Sequence, residues 1–150
     1  MSKSSVKILE NNTDAIRKAI SGPALLRAVT AGAEILRGQI RINIREKLNR
    51  HPTGNLMNSI NIETDHVEAH SAAVNVGTTV IYAAIHEFGG IIKAKNGPFL
   101  HFVVDGQHVM TRSVMIPARP YIRPAVDERK DQIFAAIEAQ LKKEIGQAAT

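Results

Sequence analysis

The stretch HPTGNLMNSINI, His51–Ile62, is where the chain changes its apolar period, and its reading decides the fold. Upstream of it, Leu25, Val29, Ala33, Leu36, Ile40, Ile44 and Leu48 recur every three or four positions. That spacing draws one apolar stripe along a long amphipathic helix, with Arg27, Arg37, Arg41, Arg45 and Lys47 off the stripe. Pro52 moves His51 out of helical geometry and Gly54-Asn55 permits a turn, so the helix ends here. Downstream the period is two. Ile60 and Ile62 alternate with polar residues, and Ala72, Val74 and Val76 repeat the pattern, as expected of antiparallel strands with one face on a core.

On the N-terminal side, the first dozen residues are polar and read as a loosely held arm with a small apolar patch at Val6, Ile8 and Leu9. Thr13 and Asp14 suit the cap of a short helix carrying Ile16 and Ile20. Ser21-Gly22-Pro23 interrupts it and starts the long helix, because proline is favoured in a helix's first turn. On the C-terminal side, PFLHFVV (98–104) and HVMTRSVMI (108–116) read as two strands joined through Asp105-Gly106, a strong hairpin signal. IPARPYIRPA (116–125) holds three prolines and is expected to run extended. Val126, Ile133, Ile137, Leu141 and Ile145 then return to helical spacing.

The fold class is therefore α+β. A long N-terminal amphipathic helix leads to a small antiparallel, or mixed, β-sheet with a β-hairpin insert, and a C-terminal helix packs on the sheet. One domain covers residues 1–150: an arm over 1–12, helix over 13–48, sheet over 56–116 with a short helix at 80–88, and a closing helix over 125–146. At 150 residues, 44% hydrophobic and 22% charged, the chain has an ordinary globular balance. Cysteine is absent, which excludes a disulfide framework or a thiolate metal site and fits a reducing compartment. No stretch has the apolar core of a signal peptide or the length of a membrane span, so a soluble, non-exported protein is the expectation.

The net charge of +5 is unevenly spread. Residues 1–50 hold ten Lys/Arg against four Asp/Glu, whereas residues 51–90 hold none against four. Residues 91–126 hold five against one, and residues 127–150 four against five. Faces of opposite sign suit docking between subunits as well as contact with nucleic acid.

No catalytic, metal or cofactor site emerges. His86-Glu87 starts like a zinc-hydrolase signature, but Gly90 stands where the second histidine belongs, and the glycine pair ends the helix. Ile81, Ile85 and Phe88 instead read as one apolar helical face anchored in the core. His66, Glu68 and His70 share one strand face, read as solvated, as do Glu63 and Asp65. Ser59, Ser71 and Ser113 lack a nucleophile-elbow setting, and the glycines form no phosphate-binding loop. The first rival reading is a basic DNA-contacting accessory protein, with the helix-one arginines and Arg112, Arg119 and Arg123 along phosphates. With 4% aromatic residues and no Trp, stacking platforms for single strands are hard to build. The second rival is a metal-dependent hydrolase.

Three phrases in order carry more weight: PTGNLMNSI (52–60), YAAIHEFGG (82–90) and IPARPYIRPAVDE (116–128). Over roughly residues 20–140 the chain resembles the tail-completion and neck proteins of tailed bacteriophages. It is similar to the Mu-type virion morphogenesis proteins and to the small head–tail joining, minor tail proteins of lambdoid phages. The glycine pair followed by a basic strand, a hairpin and Pro-Ala-Arg-Pro looks closer to the Mu type, since the lambdoid pattern often has Gly-Thr at Gly89-Gly90.

The resemblance implies a structural virion protein rather than an enzyme, assembled in the bacterial host cytoplasm and located in the tail or neck. It implies a homo-oligomeric ring, commonly hexameric, at the head-proximal end of the tail, as a tail completion, terminator or neck protein. Partners would be other copies, the tail tube protein and head–neck connector proteins, with non-specific contact to DNA and no membrane, cofactor or small-molecule substrate. A ring needs two different faces on each subunit. Candidate interface residues are Glu87, Arg119, Arg123, Arg112, Arg41 and Arg45, with a guanidinium of Arg119 expected on a neighbour's Glu87 or on a carboxylate of its own subunit. Pro52, Gly54, Gly89, Gly90, Pro117 and Pro120 are the candidate structural turns.

Overall fold

The computed structural model describes Asp14, residues 16–48 and residues 54–148. The expected arm over 1–12, the cap at Thr13 and the His51-Pro52 part of the turn lie outside these residues. Ser21, in extended geometry (φ −66°, ψ 150°), precedes helix α1 (Gly22–Lys47), with Pro23 in the first turn where no intrahelical N–H is needed. Arg45 and Lys47 sit in the last turn, where positive charge complements the helix dipole.

Of the expected stripe, Ala33, Ile40 and Ile44 are buried, while Leu25, Val29, Leu36 and Leu48 are half-buried. A second, small-residue line at Ala24, Ala28 and Gly32 is buried too. Helix α4 (Ile122–Ala148) packs antiparallel along α1. Contacts read in opposite order along the two helices: Arg27 with Glu144, and Gln39 with Glu128. At Gly32 a Cβ would lie 2.8 Å from Ile137 Cγ1, so the glycine lets the two backbones approach closely.

The turn at Gly54 leads into a single helical turn, α2 (Asn55–Asn58), that buries Leu56. Gly54 itself has φ −57°, so this turn does not need a glycine's conformational freedom. Strands β1 (Asn61–Glu68) and β2 (Ser71–Gly77) form an antiparallel hairpin lying on α1. A bulge at Asp65, between Thr64 and His66, breaks the simple alternation expected there. Ile60, Val76 and Val80 then share one apolar cluster with Ile40, Ile44, Leu56, Ala83, Tyr121, Ile122 and Ala125, where sheet, α1 and the start of α4 meet.

The second half departs from expectation in three places. First, HVMTRSVMI is two strands. After helix α3 (Ala83–Phe88), β3 (Gly90–Lys93) pairs with β6 (Ser113–Ile116), and β4 (Leu100–Val104) pairs with β5 (Gln107–Thr111). The two antiparallel ladders are segments of one long β-arm, because the excursion 94–99 faces the single residue Arg112 and interrupts the register. Its tip is a two-residue turn with φ 50° at Asp105 and 80° at Gly106, as Asp-Gly favours. The small sheet is thus three two-stranded antiparallel ladders.

Second, the extended run expected over 116–125 ends at Tyr121. Helix α4 begins at Ile122 with Pro124 in its first turn, where the ring clashes with nothing and the missing N–H is no loss. Third, Ile81, Ile85 and Phe88 do not form a buried face. Ile81 is 97% and Phe88 72% exposed, while the inward positions of α3 are Ala83 and Glu87, four apart.

Candidate functional site

The site is built where YAAIHEFGG meets PARPYIRP. Helix α3 is short, and Gly89 ends it with φ 70° and its N–H on Ile85 O at 2.9 Å. A Cβ at Gly89 would fall 2.7 Å from Ala118 N and 2.9 Å from Ile116 O. Both the positive φ and the passing strand therefore require glycine. Arg119 N–H donates to His86 O at 2.8 Å, so the two legs of the β-arm are joined at its base.

Glu87 completes that junction. Its Oε2 accepts the N–H of Tyr121 at 2.7 Å and of Ile122 at 3.0 Å, and its Oε1 accepts the N–H of Arg123 at 3.2 Å. These are the N–H groups that a helix start leaves without partners, and the next residue, Pro124, has none to satisfy. A carboxylate there is also favoured by the helix dipole. Glu87 is buried, so the expected pairing with Arg119 gives way to backbone donors of its own chain.

Tyr121 is fully buried beside it and donates its hydroxyl to Ala83 O at 3.1 Å. Burial, with the Glu87 charge second, pushes its phenol up to about 12. Asn43 Nδ2 donates to Tyr121 O at 3.2 Å, and Lys47 Nζ to Pro120 O at 2.9 Å, tying the same segment to α1. Gln39 donates to Asn43 Oδ1 and Glu128 Oε2 and accepts from Arg129 Nε. At the other end of the helix pair, Arg27 holds Glu144 at 2.7 and 2.6 Å. That hydrogen bonding, with Gln140 next, brings the Glu144 carboxyl down to about 2.

Beside the junction lies a groove of about 540 Å³ lined mainly by Gly77, Ala83, Ala84, Phe88, Ile122 and Val126. Arg123 and Asp127 stand at it as well.

The other sequence-derived candidates are distributed as follows. Arg41 donates to Ile60 O at 3.2 Å, Arg27 is taken by Glu144 and Arg37 by Glu34, so much of the α1 arginine row is engaged within the chain. Arg45 is exposed in the last turn of α1. Arg112 stacks 5.8 Å from the Phe99 ring on the arm, and the side chains of Arg119 and Arg123 are exposed. Pro117 and Pro120 are exposed in the segment between β6 and α4, and Gly90 opens β3 with φ 154°. His66 binds Asp65 and Ser71, and His70 sits against Ile20 O. Among the described residues no cluster of three metal-ligating side chains forms.

Tyr121, Asn43, Gln39 and Gly32 were missed in the sequence. A usable signal existed for the helix start: Pro124 three residues after the buried tyrosine marks a first helical turn. Gln39 and Asn43, four apart beside Ile40 and Ile44, were the other hint.

A family model described as the phage virion morphogenesis family matches residues 37–142. That span runs from the middle of α1 through the whole junction and arm into α4. No curated protein and no solved structure matches the chain.

Proposed function

The chain belongs to the phage virion morphogenesis family, and on that premise we propose that it closes into a ring at the head-proximal end of the tail. It is a phage structural protein of a structural family. In the proposed role it completes the tail and presents a surface to the neck, as a tail completion or terminator protein joining tail to head. Its partners are other copies of itself, the tail tube and the head–neck connector. Six copies is the ring size that the resemblance favours.

One observation carries the reading. Among the described residues, sixteen large apolar side chains are exposed, against only five large ones buried: Ile40, Ile44, Leu56, Ile60 and Tyr121. Single exposed apolar residues are ordinary on any surface. This excess is concentrated on the α3 edge and the β-arm, and such concentrations mark protein–protein contacts. No helix among the described residues is long and apolar enough to cross a membrane, so a membrane-spanning helix does not account for it.

The test is mass in solution over a concentration series, with negative-stain images of the largest species. A closed ring supports the reading. A monomer at every concentration, and with tail tube protein added, contradicts it.

A further inference from the structure

The arm and the groove are two different surfaces of one subunit. Among the described residues the four arm strands pair with one another, and no helix packs broadly on them. Its paired strands run nine residues per leg, roughly 30 Å of strand at about 3.3 Å per residue. It exposes Ile91, Val103, Met110 and Met115 at 56, 57, 59 and 75%. Directly paired residues share a face, so Ile91 with Met115, and His101-Met110 next to Val103-His108, form apolar spots along it.

We propose that the β-arm of one copy seats in the groove between α3 and α4 of a second copy, which deepens the ring reading above and rests on it. The groove offers Ala84, Phe88, Ile122 and Val126 to the arm's Val103 and Met110. Charge sets the orientation. The arm carries Lys93, Lys95 and Arg112 against the single Asp105. The groove has Asp127 beside Arg123, and the cleft that adjoins it at Gly77-Thr78 adds Glu63. Because the Glu87 junction fixes the arm's base next to its own groove, each subunit presents donor and acceptor surfaces at one set angle. Such a head-to-tail contact repeats by rotation, and a rotation that divides a full turn closes it into the proposed ring.

The test uses two variants of the full chain. Val103→Asp with Met110→Asp disables the arm, and Ala84→Arg with Val126→Arg disables the groove; circular dichroism confirms that each is folded. Native mass spectrometry should find each variant alone as a monomer. An equimolar mixture should give a dimer of one arm variant and one groove variant and nothing larger, since one intact arm and one intact groove remain. Because the natural chain has no cysteine, Met110→Cys mixed with Ala84→Cys should give a disulfide-linked pair on oxidation. If wild type forms rings and both variants still do, the arm-in-groove contact is wrong while the ring reading stands. If both variants assemble but deletion of residues 1–13 abolishes assembly, the N-terminal segment is the occupant and the proposal falls. If wild type never leaves the monomer, both fall together.

Discussion

Glu87 accepts the backbone N–H of Tyr121 at 2.7 Å across 34 positions of sequence, and this contact joins the short helix α3 to the start of the long helix α4. Everything between the two residues is the β-arm and its flanks. The carboxylate therefore acts as the closing stitch of the excursion over residues 88–120, with Gly89 and the Arg119–His86 bond beside it. A hydrogen bond to a charged acceptor contributes about 1.5–3 kcal/mol, and a buried N–H left alone costs about 1–3 kcal/mol.

Glu87→Ala strands the N–H groups of Tyr121, Ile122 and Arg123. The expected loss is about 2–4 kcal/mol, or about 5–15 °C in Tm for a chain of this size. Glu87→Gln keeps one acceptor oxygen and should lose less. Thermal unfolding followed by circular dichroism measures both; a loss below about 0.5 kcal/mol for the alanine variant would refute the stitch.

Gly32→Val probes the α1–α4 contact. Its Cβ alone would stand 2.8 Å from Ile137 Cγ1 and 3.1 Å from Ile133 Cγ2, and two further methyl groups cannot be placed without moving α4. Overpacking of this kind costs about 1–3 kcal/mol. Urea unfolding should show a lower midpoint with an unchanged slope. Gly38→Val, with open space around it, is the control and should change stability far less.

The pH dependence has two separate limbs. Glu144 is held down to about 2 by Arg27, so its contribution is fully present above the ordinary glutamate range and fades as pH falls through that range toward 2. Glu144→Gln should flatten the acid limb. Tyr121 is pushed up to about 12, so its contribution is present below the ordinary tyrosine value near 10 and fades as pH rises toward 12. Tyr121→Phe should flatten the alkaline limb while also losing the bond to Ala83 O. Unfolding midpoints across the pH range decide both, and an acid limb that is identical in Glu144→Gln would contradict the Arg27 pairing.

These sites also show what the sequence made legible. The start of α1 was readable because Ser21-Gly22-Pro23 acts through local sterics, and the arm's tip because Asp-Gly accepts positive φ at both positions. The role of Glu87 was not. Its partners are backbone groups some 34 residues away, and a long-range cap leaves no periodic trace. The same holds for Gly32, whose meaning depends on Ile133 and Ile137 across the helix pair. The split of β5 from β6 was hidden because apolar alternation continues through Arg112, while the interruption lies on the opposite leg at 94–99. Phe88 and Ile81 misled through their chemistry: apolar residues at helical spacing suggest a core, yet Ala83 and Glu87 face inward and leave these two outside.

Arg119→Glu tests the charge of the assembly face apart from folding. Its side chain is exposed and only its backbone N–H joins the junction, so stability should change by less than about 0.5 kcal/mol. Reversing this candidate interface residue to Glu should weaken the ring by removing a guanidinium that would hold a neighbour's carboxylate. An oligomer of unchanged size and salt sensitivity would remove Arg119 from the interface.

The most direct measurement of the central claim is native mass spectrometry of the wild-type chain beside the equimolar mixture of arm and groove variants. The account predicts a closed multiple of the 16.4 kDa chain for wild type, six copies in the favoured form, and a two-chain species for the mixture. A wild-type chain that remains at 16.4 kDa throughout would contradict it.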